Sequence, residues 1–112
     1  MFTKGILALS GILNSVNITT DQWWQSTEDL IVELYPNGTS LTTIWKKAGG
    51  KESDLLTKST ANEIWSDALY KMRKNQPKNM TMNKLLKEIE KQYGDNQKFK
   101  IIYDLRKNYI KT

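Results

Sequence analysis

The side chains able to carry chemistry in this 112-residue chain are its carboxylates, lysines and aromatics, because it contains no His and no Cys. Without Cys there is no thiol nucleophile, no disulfide scaffold and no thiolate-held zinc. Without His the usual general base near neutral pH and the commonest metal ligand are missing. Acid/base work is left to pairs of carboxylates. Glu28 with Asp29, and Glu88 with Glu90, stand too close in sequence to face each other on a helix. Asp29 and Glu33 do stand at i, i+4, but nothing around them suggests a cleft, and hydrolytic carboxylates need a positioned pair across one. No phosphate-binding loop, no G-x-G-x-x-G and no calcium loop is present. No catalytic residue, cofactor or metal is therefore expected, and binding is the chemistry that remains.

The lysines are the next candidates. Lys and Arg number 17 against 12 Asp and Glu, a net charge of +5. Residues 1–60 carry five Lys and six acids, a balance of −1, whereas residues 61–112 carry twelve basic residues and six acids, a balance of +6. Lys84, Lys87 and Lys91 recur at helical spacing and form one stripe. That stripe suits phosphates or an acidic protein surface; the plainer reading is a solvated face paired with Glu88 or Glu90. Only Arg73 and Arg106 are Arg, which leaves little capacity for bidentate forks to bases or phosphates. Among the four Trp, Trp45 and Trp65 fall on apolar stripes and read as core. Of the adjacent Trp23 and Trp24, only one need point inward, and the other is a contact candidate.

These residues must be positioned by helices, since no segment alternates with period two. Phe2, Ile6, Leu9, Leu13 and Val16 share one face of an N-terminal segment, residues 1–19, read as an amphipathic helix or tail. A second helix starts near Thr20, carries Trp23, Leu30 and Ile31, and ends at Pro36-Asn37-Gly38. Ser40 is the expected cap of a third, which stops at Gly49-Gly50. A helical turn is expected around Ser53 to Leu56. Thr60 and Glu63 form a capping box ahead of Ile64, Trp65, Ala68, Leu69 and Met72, and Asn75-Gln76-Pro77 closes that helix. Thr81 or Asn79 caps the next helix, with Met82, Leu85, Leu86, Ile89 and Tyr93 inward, and Asp95 the last, with Phe99 and Ile102. Residues 20–112 thus read as one compact all-α bundle, six to seven helices with the N-terminal one counted.

No run approaches the ~20 apolar residues of a membrane span. The N-terminal stretch is interrupted by Ser10, Gly11 and Asn14 and lacks a small-residue cleavage site, which argues against a secretion signal and for a cytoplasmic place. The three Asn-x-Thr matches at Asn17, Asn37 and Asn79 carry no meaning without secretion.

One ordered set of residues goes further. Leu34-Tyr35-Pro36 is followed by Leu41 and Ile44, Ala48-Gly49, Asn62 and Trp65, Leu69, Leu85-Leu86, then Tyr93, Asn96 and Phe99. This order resembles the effector-associated domain of bacterial conflict systems, a small helical domain similar to the death-domain superfamily. The resemblance runs from about residue 22 to residue 103. The family's Tyr-Pro before the last helix is Tyr93-Gly94 here, a departure that bears on subtype more than on fold. What the resemblance implies is a death-like bundle acting as a non-catalytic adaptor. Such domains pair with like domains and bring effectors such as proteases or nucleases to sensors or NTPases in bacterial defence. The expected partner is a protein carrying a similar domain fused to a protease, nuclease or NTPase, with self-association also open.

The candidate docking faces are acidic Glu28, Asp29 and Glu33 on one helix and basic Lys84, Lys87 and Lys91 on another. The rival reading is a small basic nucleic-acid-binding protein, which the Lys stripe and a pI near 9.4 favour and the shortage of Arg opposes. A third makes residues 1–16 a membrane-active or self-assembling segment of a toxin-like effector.

Overall fold

The computed structural model describes residues 18–76 and 80–110. Among the described residues there are five α-helices, two 3-10 turns and no strand. The N-terminal apolar stripe, and the alternative cap at Asn79, lie outside them.

Helix α1 (Thr20–Leu34) begins where Thr19 and Gln22 exchange hydrogen bonds. The Thr19 hydroxyl accepts from the Gln22 amide at 3.0 Å, and Gln22 Oε1 accepts from the Thr19 amide at 2.8 Å. Asp21 in the first turn faces the positive end of the helix dipole. Trp23, Thr27, Leu30 and Ile31 recur at three- and four-residue steps and form the buried face. Pro36, which disfavours helical geometry at Tyr35, ends the helix.

Helix α2 (Gly38–Lys47) is capped by Asn37, not by Ser40. Asn and Ser are comparable caps, and Asn37 comes first after the proline, so the Ser40 amide becomes a donor to Asn37 Oδ1 at 2.9 Å. The Gly49-Gly50 stop is present, with Gly49 at φ 108°. The helical turn expected around Ser53 to Leu56 is a 3-10 turn at Glu52–Asp54. The capping box of Thr60 and Glu63 opens α3 (Ala61–Arg73), and Lys71 and Arg73 complement its negative end. Thr81 caps α4 (Met82–Tyr93). Asn96, not Asp95, caps α5 (Gln97–Leu105), its Oδ1 accepting from the Phe99 amide at 2.9 Å and holding Phe99 at the inward start of the helix. A second 3-10 turn, Arg106–Asn108, follows. The expectation of six to seven helices counted the N-terminal segment and the turn near residue 53.

α1 packs on α3 and α5, α2 packs on α4, and α4 closes the bundle against α3 and α5. Trp23, Trp45 and Trp65 are all fully buried. Each donates its indole N–H to a main-chain carbonyl: Trp23 to Ile102 at 3.2 Å, Trp45 to Lys51 at 3.0 Å and Trp65 to Tyr35 at 3.1 Å. These bonds tie α1 to α5, α2 to the 3-10 turn, and α3 to the end of α1. A buried indole left unpaired would cost about 1–3 kcal/mol, so each Trp fixes a neighbouring element as well as filling space. Edge contacts between Trp45 and Trp65 (6.3 Å) and between Tyr35 and Tyr93 (5.6 Å) join these parts. The Tyr109 hydroxyl donates to the Ile18 carbonyl at 2.9 Å and ties the chain's two described ends together.

Candidate protein-interaction site

The helices distribute the six proposed contact residues over several parts of the surface. Glu28, Asp29 and Glu33 lie on α1 but do not act together. Successive helical residues are turned by about 100°, which sets Glu28 well away from the other two. Glu33 reaches α5, where Lys98 Nζ stands 3.4 Å from its Oε1. Asp29 accepts from Gln25 Nε2 at 3.0 Å within α1.

Glu28 instead faces α3 across an open groove of about 560 Å³, lined by Asn62, Glu63, Ser66, Asp67 and Tyr70. A second hollow of about 280 Å³ continues it past Asp21, Trp24 and Arg73. Four carboxylates and one cation line the two together. Burial raises the pKa of Glu28; Asp29 adds to the rise and the hydrogen bond from Gln25 opposes it. Glu63 is shifted the other way, because the Thr60 amide and hydroxyl both donate to its carboxylate. Asp67 lies 2.9 Å from Lys71 Nζ. Glu63 and Asp67 are thus engaged beside Glu28.

Trp24 is the outward member of its pair. It is half-buried, with the Arg73 guanidinium 5.4 Å from its ring centre, and Arg73 also bonds Asp21 at 2.6 Å. Tyr70 is 61% exposed, which makes it the large ring most open to solvent among the described residues.

Lys84, Lys87 and Lys91 all stand exposed on α4. Lys91 pairs with Glu88 at 3.1 Å, as the solvated-face reading expects. Such an exposed i, i+3 pair contributes at most about 1 kcal/mol, so it does not prevent Lys91 from turning to another carboxylate. No residue of α4 lines the α1/α3 groove.

Asp67 and Tyr70 were not singled out by sequence, and Glu63 was read only as the capping partner of Thr60, not as a contact residue. Their i, i+4, i+7 spacing on the polar side of α3 groups them, but their meeting with Glu28 depends on the packing of α1 against α3, which no local pattern announces. Among the described residues no group of acids could hold a metal ion, and no helix is long and apolar enough to cross a membrane.

The class defined by this geometry is an all-α bundle with a polar, solvent-open groove and a separate lysine-bearing helix face. The family model of effector-associated domain 1 matches residues 17–107, and the chain belongs to that family. No curated protein and no solved structure matches it. Most residues that carried the resemblance have structural roles: Tyr35, Leu41, Ile44, Trp65, Leu69, Leu85, Leu86 and Phe99 are buried, and Asn96 is a cap. Asn62 is exposed and lines the groove.

Proposed function

We propose that the chain is a non-catalytic adaptor that docks a like helical domain and thereby recruits effectors in a bacterial defence or conflict system. Membership of the effector-associated domain 1 family carries this reading. The surface is suited to it. An open groove rich in carboxylates and an exposed row of lysines offer charge-matched contacts, which steer encounter and select partners without chemistry. Within the groove, Glu63 is bonded to Thr60 and Asp67 is paired with Lys71, an arrangement suited to contacts more than to acid/base work. A cytoplasmic place fits such a role.

The test is affinity capture of the full chain from its native host after nuclease treatment, read by mass spectrometry. The expected result is a protein carrying a similar helical domain fused to a protease, nuclease or NTPase. Capture of no such protein, with nucleic acid retained in an untreated control and lost steeply as salt rises, would contradict the adaptor reading and favour the nucleic-acid one.

A further inference from the structure

We propose that the α1/α3 groove of one copy receives the Lys84, Lys87 and Lys91 face of α4 from a second copy, so that the domains join head to tail. The proposal deepens the adaptor reading, on which it rests, by naming the groove and its occupant.

Charge complementarity within one chain is the first argument. The chain carries net +5, yet four carboxylates and one cation line its groove and the hollow that continues it. The lysine stripe is on α4, which contributes no lining residue, so the contact is made between copies.

Spacing is the second. Along α3 the exposed or half-buried residues Glu63, Asp67 and Tyr70 are separated by four and then three positions. Read backwards along α4, Lys91, Lys87 and Lys84 are also separated by four and then three. Both rows span about 10 Å at the α-helical rise. With α4 of one copy laid antiparallel to α3 of the other, Lys91 meets Glu63, Lys87 meets Asp67 and Lys84 lies over the Tyr70 ring. A carboxylate has two oxygens, so Glu63, bonded to Thr60 through Oε1, and Asp67, paired with Lys71 through a buried Oδ2, each keep that partner and meet a lysine with the other oxygen. Lys74 Nζ already lies 5.6 Å from the centre of the exposed Tyr70 ring, so what the ring adds for Lys84 is cover for its aliphatic stem. Glu28, on the opposite wall, gains a nearby cation where its charged form has lost solvent. Because the two halves of this contact are different surfaces, each joined pair still offers one free groove and one free stripe, on opposite copies, and assembly does not close at two.

Two neutralising variants of the full chain test this. The groove variant is Glu28→Gln, Asp67→Asn, Tyr70→Ala, which keeps the Thr60–Glu63 cap. The stripe variant is Lys84→Gln, Lys87→Gln, Lys91→Gln. Circular dichroism first establishes that both fold. Sedimentation in low salt, at up to about 1 mM protein, then reads the assembly state. The expected result is that wild-type chain grows beyond a dimer with concentration, that each variant alone stays monomeric, and that an equimolar mixture gives a one-to-one dimer and nothing larger. The stripe variant's groove takes the groove variant's lysines, and both remaining ends are dead. A wild-type chain that stays monomeric or stops at a dimer, a variant that still assembles alone, or a mixture that stays monomeric would overturn the proposal. If one variant does not fold, the wild-type concentration series and the other variant still decide. A monomeric chain that nonetheless captures a like-domain partner would retire the second copy as occupant and leave the adaptor reading standing.

Discussion

Glu28 sits half-buried where α1 meets α3, and part of the water its carboxylate would hold in the unfolded chain is gone. Its folded pKa lies above the unfolded one, so ionisation is less favourable in the fold. The residue therefore subtracts stability once pH rises past the unfolded carboxylate range, and subtracts none well below it. Glu28→Gln is expected to raise Tm at pH 7, with the gain vanishing at about pH 3. Thermal melts at the two pH values check this, and a lower Tm for the variant at pH 7 would contradict it. Glu63 has the opposite sign. Its pKa is lowered by Thr60, so its stabilising contribution is present above the unfolded carboxylate range and is lost as pH falls through the folded value. Gly50 shows how little room some positions leave. A Cβ there would lie about 2.6 Å from Cδ1 and Cε2 of the fully buried Trp45 ring. Gly50→Ala is expected to cost about 1–3 kcal/mol in denaturant unfolding, since Trp45 is held by its bond to the Lys51 carbonyl and cannot yield freely. An unchanged midpoint would show that the loop moves instead.

At the scale of elements, one shared apolar core makes five short helices a packed unit, and the tryptophan bonds fix α1 to α5 and α3 to the end of α1 within it. None of the described helices exceeds 15 residues, and helices of that length are marginal alone in water. Trp65→Phe keeps most of the buried ring but leaves the Tyr35 carbonyl without its indole donor, where α1 ends. The expected loss is about 1–3 kcal/mol in global stability, measured by chemical denaturation. A variant as stable as wild type would mean that the carbonyl finds another donor. The helices themselves were legible in the sequence because their signals are local. The apolar stripe of α3, the Thr60–Glu63 box, the cap at Thr81 and the stop at Gly49-Gly50 each depend on residues a few positions apart. The caps of α2 and α5 were displaced to Asn37 and Asn96 for an equally local reason. Two acceptable capping residues stood near each start, and side-chain type alone does not choose between them.

At the scale of the molecule, the placement of charge depends on which helix lies beside which, and this was not legible. The acidic residues of α1 share a helix in the sequence, but packing sends Glu33 to Lys98 of α5 and Glu28 to the groove with α3. The lysine row survived intact because all three residues lie on one exposed helix face and need no second element to group them. In the proposed docking, charge matching between domains supplies the selectivity. The measurement that tests it most directly is calorimetric titration of the captured like-domain partner into wild-type chain and into a Lys84→Glu, Lys87→Glu, Lys91→Glu variant whose fold has been checked by circular dichroism. The account predicts binding to wild type and a loss on the order of 100-fold or more in the variant, since like charges brought into contact cost several kcal/mol. Equal affinity for the two folded chains would contradict it.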